Sequence, residues 1–351
     1  MLEKFASNAI LAKSLAKYGR RLNSRNYRDM LSLTGVSEIA NYLRSNTHYA
    51  EALEQVQKSA VHRGNLETVL RRKIFEDFAE VCRFESSVGE HFFHYILMRG
   101  EIAELMRFLR YMNAGHPEDY IFTMPDFFNR HIRIDLIELS KARSYDEMLE
   151  VAKPSPFYET LRALRPRRGE NPEIGLIGAI LHKHMYARMF EILKKHFSGR
   201  DRAMLIELFS MLIDFHNMRR IIRGKQYFGE GPDVLRGRIV PGGRYIRGRR
   251  LEEVIGAPSA SEALRLLRQT HRYSGVLDGE NYRNIDYAAE KARCAYARRM
   301  IRFSASPPVV MASWIMLTEM EVEDLTSIIE GVRYGLPPEE ISKILIIYEG
   351  G

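Results

Sequence analysis

The sequence has few of the residues on which chemically active sites usually depend. It contains only two cysteines, Cys82 and Cys294, which lie far apart and in no CxxC pair. Their positions exclude the common zinc and dithiol motifs and favour reduced, buried thiols. Runs of alternating β-branched residues, which signal strands, are also scarce, so the sequence predicts an all-α fold.

Long hydrophobic runs are absent as well. The most apolar stretch covers residues 307–317 and is followed by two acids, Glu319 and Glu321. A helix needs roughly 18 consecutive apolar residues to cross a bilayer, so we expect no membrane-spanning segment. Residues 1–21 lack the apolar core of a secretory signal. We expect an amphipathic helix there, with Ile10 and Leu15 on its apolar face; a basic transit peptide is the alternative.

Motifs for nucleotide binding and hydrolysis are missing. The sequence has no GxxxxGK[ST], no GxGxxG after a strand, no GxSxG and no HExxH. His91 and His94 lie one helical turn apart and could ligate a metal, but no further ligand has a matching spacing. His182 and His184 point away from each other on a helix. We therefore predict no catalytic residue, no cofactor-binding residue and no metal ligand.

The sequence does contain one short pattern repeated three times. Each copy begins with an acid, at Glu101, Asp214 and Glu321, so the steps between copies are 113 and 107 residues. Apolar residues follow at i, i+3 and i+4, a spacing that predicts one apolar helix face in each copy. These apolar residues are Leu105, Phe108 and Leu109, then Met218, Ile221 and Ile222, then Leu325, Ile328 and Ile329.

Both ends of each copy carry signals of helix termini. An acid favours the start of a helix, and a glycine with positive φ ends many helices. The glycines are Gly115, Gly229 and Gly335. We predict a structural role at helix starts for Glu101, Asp214, Asn217 and Glu321. The same role accounts for acids such as Asp324 without acid–base catalysis.

A second marker recurs upstream of each copy. It is an amphipathic stretch, then a polar or proline-containing turn with an aromatic residue. The three occurrences are residues 37–53, 145–161 and 261–277. Because the period is the size of a domain, we predict three helical modules. Their predicted bounds are 1–125, 126–235 and 236–351, with a first helix in 1–30 packing with the last module.

The net charge of +8 allows acidic partners. Residues 224–248 hold seven glycines and two prolines, which predicts a long loop or a pair of short turns. The candidate partner contacts are Arg223, Arg236, Arg238, Arg244 and Arg247. One alternative is an RNA-binding helical protein that uses residues 236–250. A phosphate-binding loop lacks the preceding strand that it requires. An enzyme with a site assembled across modules also stays open.

At these residues the chain resembles the C subunit of the V/A-type rotary ATPases, which corresponds to the d subunit of the eukaryotic enzyme. The resemblance runs from the first helix to Tyr348. Its motifs are Leu43, Thr47 and Tyr49; Asp214 and Asn217 with Ile222 to Lys225; Ile239 to Gly243; and Glu319 to Pro337. The chain departs from the family at Glu104 and Asp324, where Asn is frequent, and at Glu101, where Asp is usual.

The resemblance implies a funnel made of three similar helical subdomains in a pseudo-three-fold arrangement. Such a protein would be a non-catalytic socket of the central stalk. It would receive the rotor shaft of the D and F subunits and rest on the proteolipid ring, coupling the two for proton or sodium transport. It would be peripheral, on the cytoplasmic face of a membrane. No cofactor and no nucleic acid would be expected.

Overall fold

The computed structural model describes residues 2–54, 63–83, 88–167, 169–270, 273, 277 and 285–348, with side chains except those of 2–7, 63 and 88–93. Over these residues the regular structure consists of α-helices and short 3-10 helices. This confirms the predicted all-α class. The chain divides into two compact units, Met1–Glu90 with Asp286–Gly351, and His91–Ile285. The three predicted modules and their bounds stay a prediction.

The helices follow one another in three stretches of chain. The first stretch holds α1 (Leu2–Gly19), α2 (Ser24–Leu31), α3 (Val36–Asn46), α4 (Ala50–Leu53) and α5 (Arg63–Cys82). The second holds α6 (Val88–Asn113), α7 (Leu136–Lys141), α8 (Tyr145–Ala152), α9 (Tyr158–Ala163), α10 (Ile174–His196), α11 (Gly199–Tyr227), α12 (Pro232–Arg238), α13 (Gly248–Gly256) and α14 (Ala260–Arg268). Between α6 and α7 lie 3-10 helices at Pro117–Phe122 and Asp126–Phe128. The third holds α15 (Ile285–Phe303), α16 (Pro307–Arg333) and α17 (Pro338–Ser342).

The first unit is built around α16. This helix is apolar on most of its circumference and buries residues on every turn of its first half. One of them, Trp314, meets Phe78 of α5 edge-on, with ring centroids 5.2 Å apart. A helix that is hydrophobic all round belongs in a core. α1 and α5 pack against it. Ile10 of α1 is fully buried, as predicted, but Leu15 is 41% exposed, so the predicted apolar face was wrong at that residue.

The second unit is built around α11, which packs against α10, α12 and α14. Its buried residues include Phe209, which meets Tyr95 of α6 edge-on with ring centroids 5.0 Å apart. Within the predicted loop at 224–248, α11 continues to Tyr227 and α12 spans Pro232–Arg238. Two connections remain, 228–231 and 239–247, so the alternative of a pair of short turns is closer to the structure than one long loop.

The three copies of the repeat lie on the three longest helices, α6, α11 and α16. All nine apolar residues of the pattern are buried, which confirms the predicted apolar faces. The acids, however, lie deep inside these helices. α6 begins at Val88, α11 at Gly199 and α16 at Pro307, each more than three turns before its acid. The helix-start role was therefore wrong, because a side chain so far from the end cannot reach the orphan N–H groups of the first turn.

The glycine that closes each copy has the predicted positive φ. Its values are +84° at Gly115, +58° at Gly229 and +66° at Gly335. After Gly115 and Gly335 the next residue donates its N–H five residues back, to Tyr111 and Gly331, at 3.0 and 2.9 Å. This is the Schellman arrangement that closes helices with a left-handed residue.

Beyond each glycine the repeat continues in a way that sequence analysis missed. A proline begins a short helix each time, at Pro117, Pro232 and Pro338. Three residues later a large side chain is buried against the long helix. These side chains are Tyr120, Leu235 and Ile341, and each is at most 1% exposed. The repeating element is therefore a long helix, a left-handed glycine and a short returning helix.

The described helices include none with the length and apolarity needed to cross a membrane. Both cysteines are buried and form no disulfide, as predicted. Burial raises the pKa of the Cys82 thiol to about 12, so this thiol stays protonated and unreactive.

Candidate functional site

Each long helix carries two buried polar side chains three residues apart. The pairs are Glu101 and Glu104 on α6, Asp214 and Asn217 on α11, and Glu321 and Asp324 on α16, and none is more than 4% exposed. Residues at i and i+3 share one helix face. A buried polar group costs free energy unless it is hydrogen-bonded, so the partners of these pairs define their role. We call each pair, with its partners, a polar latch.

The second latch fixes the loop after α12. Asp214 accepts hydrogen bonds from the backbone N–H of Tyr245 at 2.7 Å and of Ile246 at 3.2 Å. It also accepts one from the Tyr273 hydroxyl at 2.8 Å. Burial raises the pKa of the Asp214 carboxyl, and these hydrogen bonds oppose the rise. The carboxylate thus joins α11, the loop and the segment after α14.

Asn217 completes the second latch by pairing with the backbone of one residue. Its amide donates to the Val240 carbonyl at 2.8 Å, and its carbonyl accepts from the Val240 N–H at 2.9 Å. The loop needs a glycine at position 243, since a Cβ there would lie 2.3 Å from Asp214 Oδ1. The glycines of this loop therefore let the backbone approach the latch.

The third latch lies in the first unit. Glu321 accepts from the Leu22 N–H at 2.8 Å and from the Tyr49 hydroxyl at 2.9 Å. Asp324 accepts from the N–H groups of Ile346 and Ile347 at 2.6 and 2.7 Å. Burial raises the pKa of Glu321 to about 7.

The first latch uses side-chain partners. Glu104 accepts from the Tyr120 hydroxyl at 2.9 Å and pairs with Arg107 at 3.0 Å. Burial raises the pKa of Glu101, while a hydrogen bond with the Ser155 side chain and the charge of Arg133 lower it. In all three latches a carboxylate on the long helix holds a later or distant segment in place.

The latches bring together the two sequence markers that were noted separately. Tyr49 and Tyr273 belong to the marker segments 37–53 and 261–277, and Ser155 belongs to 145–161. Each marker contacts the copy that precedes it along the chain, and the first marker contacts the last copy. The sequence analysis had grouped each marker with the copy that follows it. The alignment of Tyr49 with Tyr273 was the signal that could have revealed this pairing.

Among the described side chains, the histidine candidates form no metal site. The described residues contain no group of three or more His, Cys, Asp or Glu side chains that could hold a metal. His94 is exposed, and the side chain of His91 lies outside the described residues. His182 Nδ1 lies 2.7 Å from the Gly178 carbonyl, whereas His184 Nδ1 lies 3.2 Å from Thr160 Oγ1, so the two serve different neighbours.

The two candidate contact arginines on α12 pair with acids of the same unit. Arg236 pairs with Asp233 at 2.6 Å and with Glu252 at 2.8 Å, but its side chain is still 48% exposed. The Arg238 side chain is only 12% exposed and pairs with Glu173 and Glu230. Arg238 therefore holds α12 to its surroundings and leaves little surface for a partner, whereas Arg236 stays accessible.

The other candidates are exposed too. Arg244 is 43% exposed, lies 4.0 Å from Glu207, and lies over the ring of Tyr245, 5.5 Å from its centroid. Arg247 and, on α11, Arg223 are exposed. Arg244 and Arg247 flank the residues whose N–H groups Asp214 accepts, so their backbone is fixed although their side chains reach solvent.

The chain matches known proteins along nearly its whole length. Residues 10–344 match the model of the ATP synthase (C/AC39) subunit family. The A-type ATP synthase C subunit of Pyrococcus furiosus is 22% identical over 326 residues, which cover 90% of this chain and 84% of the relative. The C subunit of Methanosphaera stadtmanae is 21% identical, with 95% and 86% covered. That of Archaeoglobus fulgidus is 20% identical, with 96% and 95% covered. The chain belongs to the ATP synthase (C/AC39) subunit family.

Proposed function

We propose that this chain is a non-catalytic central-stalk subunit of a V/A-type rotary ATPase. It would couple the rotor shaft, made of the D and F subunits, to the proteolipid ring of the membrane sector. Membership of the ATP synthase (C/AC39) family supports a place in the complex. It would lie peripherally at the cytoplasmic face of the membrane and turn with the rotor.

The single observation that carries the mechanical role is the second latch. A part that transmits torque must resist deformation, and loops are the parts of a protein that yield first. Asp214 and Asn217 accept or donate five hydrogen bonds to the segments around α11. In a medium of low dielectric such bonds are strong, and leaving them unmade is costly. These carboxylates and amides hold structure, which supports a role without catalysis.

The anchored loop also supplies a place for a partner. Arg244 and Arg247 present cationic groups from a backbone that the latch holds still. Positive side chains on a fixed backbone suit an acidic surface on the shaft or the ring, since the backbone loses little entropy on binding. The three similar subdomains, arranged as a funnel, belong to the same proposal. No comparison supports the RNA-binding alternative.

The test is recovery of the assembled complex from membranes. The tagged native chain would be purified in mild detergent and its companions identified by mass spectrometry. We expect stoichiometric recovery of shaft and proteolipid subunits. The variant R244E/R247E should reduce recovery about tenfold, equivalent to about 1.4 kcal/mol.

A matched control reverses two exposed charges elsewhere in the same unit, K194E/K195E, both near the end of α10. It should assemble like the wild type. Recovery of the chain alone, or with RNA, would overturn the stalk proposal. Equal loss of recovery in R244E/R247E and K194E/K195E would instead contradict only the partner contact assigned to Arg244 and Arg247.

A further inference from the structure

A cavity opens into the first unit beside the third latch. It has a volume of about 90 Å³ and is lined by α1, α4, α5, α15 and α16 and by the turn that contains His48. Glu321 and Trp314 are buried on its inner side, whereas Arg20 and Arg21 are exposed at its solvent side. The cavity therefore connects a buried carboxyl to a basic rim.

The lining is strongly cationic. Its basic side chains are Lys17, Arg20, Arg21, Lys73 and Arg298, and its acids are Glu51, Asp77 and Glu321. With every acid ionised the lining carries two more positive than negative charges. Because the pKa of Glu321 is raised to about 7, that carboxyl is partly protonated near neutral pH, and the positive excess is larger still.

One carboxylate serves both lysines. Asp77 Oδ1 accepts from Lys17 Nζ at 2.6 Å and from Lys73 Nζ at 2.7 Å. Glu80 is a second partner of Lys17, at 2.8 Å, but it is half exposed and does not line the cavity. An ammonium group has three N–H donors, and Asp77 occupies one donor of Lys73. Asp77 therefore holds both ammonium groups in place around one carboxylate.

His48 adds a neutral imidazole to the lining. Its Nε2 lies 3.6 Å from Glu321 Oε1. Burial and the charge of Lys73 lower the pKa of His48 to about 4, against opposing effects of the Asp77 charge and the Arg20 backbone. The ring is therefore uncharged at neutral pH and does not change the positive excess of the lining.

The volume limits what the occupant can be. One buried water needs roughly 10–15 Å³ of such space, so the cavity holds about six waters or one tetrahedral oxyanion of five heavy atoms. The enclosed space therefore takes one phosphate group, and the rest of any larger ligand would lie outside the cavity. Guanidinium and ammonium groups are the side chains that bind phosphate and sulfate oxygens most strongly. We propose that this cavity is a binding site for a small tetrahedral oxyanion, of which phosphate is the biological example.

The first experiment measures anion binding by the purified full-length chain. Sulfate and inorganic phosphate would be titrated by calorimetry, at ionic strength held constant with chloride. We expect one site that both anions occupy and that chloride does not. The variant R20Q/R21Q should weaken sulfate binding at least tenfold, because it removes two cations from the rim and leaves the Lys17–Asp77–Lys73 cluster intact.

The matched control removes the same charge from exposed residues of α2 that do not line the cavity. The variant R25Q/R28Q should bind sulfate within twofold of the wild type. Absence of binding by the wild type, or equal loss in R20Q/R21Q and R25Q/R28Q, would overturn the site.

Phosphate could reach the site free or as part of a lipid headgroup. Flotation of the chain with vesicles of phosphatidic acid, and with phosphatidylcholine as the neutral comparison, separates the two. Retention on phosphatidic acid that is lost in R20Q/R21Q, but not in R25Q/R28Q, identifies a lipid phosphate. Calorimetric binding without such retention identifies a free anion. Stalk assembly plays no part in either measurement, so this inference stands or falls separately from the proposed function.

Discussion

The buried acids of the latches are the residues on which the structure depends most. Glu321 shows what such a residue experiences. Its two oxygens accept from Leu22 and Tyr49, neither of which is charged, and burial dominates its energetics. The carboxyl is therefore held by geometry rather than by a counterion, and its charge is a cost that the fold carries at neutral pH.

This cost predicts a pH dependence of stability. The pKa of Glu321 is raised from 4.5 to about 7, so the folded chain holds this proton more tightly than the unfolded chain. The contribution of Glu321 to the free energy of unfolding is therefore fully present below pH 4.5. It falls as the pH rises towards 7, by about 3 kcal/mol at most. Glu321→Gln removes the titration. Relative to the wild type, it should gain stability between pH 5 and pH 8, measured by urea unfolding.

A second acid, Glu38, has the opposite effect on the pH dependence of stability. Hydrogen bonds from Thr34 lower the pKa of Glu38. This group stabilises the fold above pH 4.5, so Glu38→Gln should lose stability relative to the wild type as the pH rises through that value. A difference between wild type and Glu321→Gln that stays constant from pH 5 to pH 8 would contradict the account of Glu321.

At the scale of elements, the packing of each short returning helix on its long helix explains two glycines inside the long helices. A Cβ on Gly331 of α16 would lie 2.5 Å from Ile341 Cγ1, and one on Gly224 of α11 would lie 2.8 Å from Leu235 Cδ2. Each glycine lies ten residues after the first acid of its latch. The short helices α17 and α12 therefore pack directly on the backbone of the long helices.

This contact predicts the effect of an alanine. Gly331→Ala should destabilise the chain by about 1–3 kcal/mol, because the added methyl group overpacks the contact with Ile341. In an unpacked helix the same change would stabilise by roughly 0.5–1 kcal/mol. Gly237→Ala in α12, where a Cβ meets nothing within 4 Å, is the matched control and should be neutral or stabilising. Equal effects at both positions, measured by chemical denaturation, would sink this explanation.

At the scale of the whole molecule, the third latch ties together segments far apart in the chain. Leu22 and Tyr49 lie 299 and 272 residues before Glu321. Asp324 accepts from Ile346 and Ile347, close to the other end of the described chain. The first unit therefore exists only when early and late segments meet, whereas the second unit is continuous in sequence.

A chain that ends at Gly335 tests this dependence. The shortened chain lacks α17 and the two N–H groups that Asp324 accepts. Amide hydrogen exchange should then rise in α1, α5 and α16 by at least tenfold, with α11 and α14 unchanged. The variant Lys343→Gln, which changes an exposed side chain of the same segment and leaves α17 in place, is the control and should change neither unit. Uniform loss of protection across both units would show that they do not open separately.

Sequence reasoning identified the right residues more often than the right roles. The apolar faces of the repeat and the positive φ of Gly115, Gly229 and Gly335 were predicted, because both depend on local spacing and backbone sterics. The role of Asp214 was not, since an acid before an apolar face looks the same at a helix start and in its middle. Which backbone N–H groups reach its carboxylate depends on residues more than 30 positions away.

The sequence by itself determined the helical class, the buried apolar faces of the three repeat copies, and the family resemblance, because all of these depend on periodicity and on the order of motifs. Tertiary structure alone decided which copy each marker contacts and which backbone and side-chain groups the buried acids bind. It also decided that cations from three helices and from the turn after α1 surround one small cavity. The physical reason is that hydrogen bonds and charges act over a few ångströms in space, and the distance between two residues along the chain does not fix that separation.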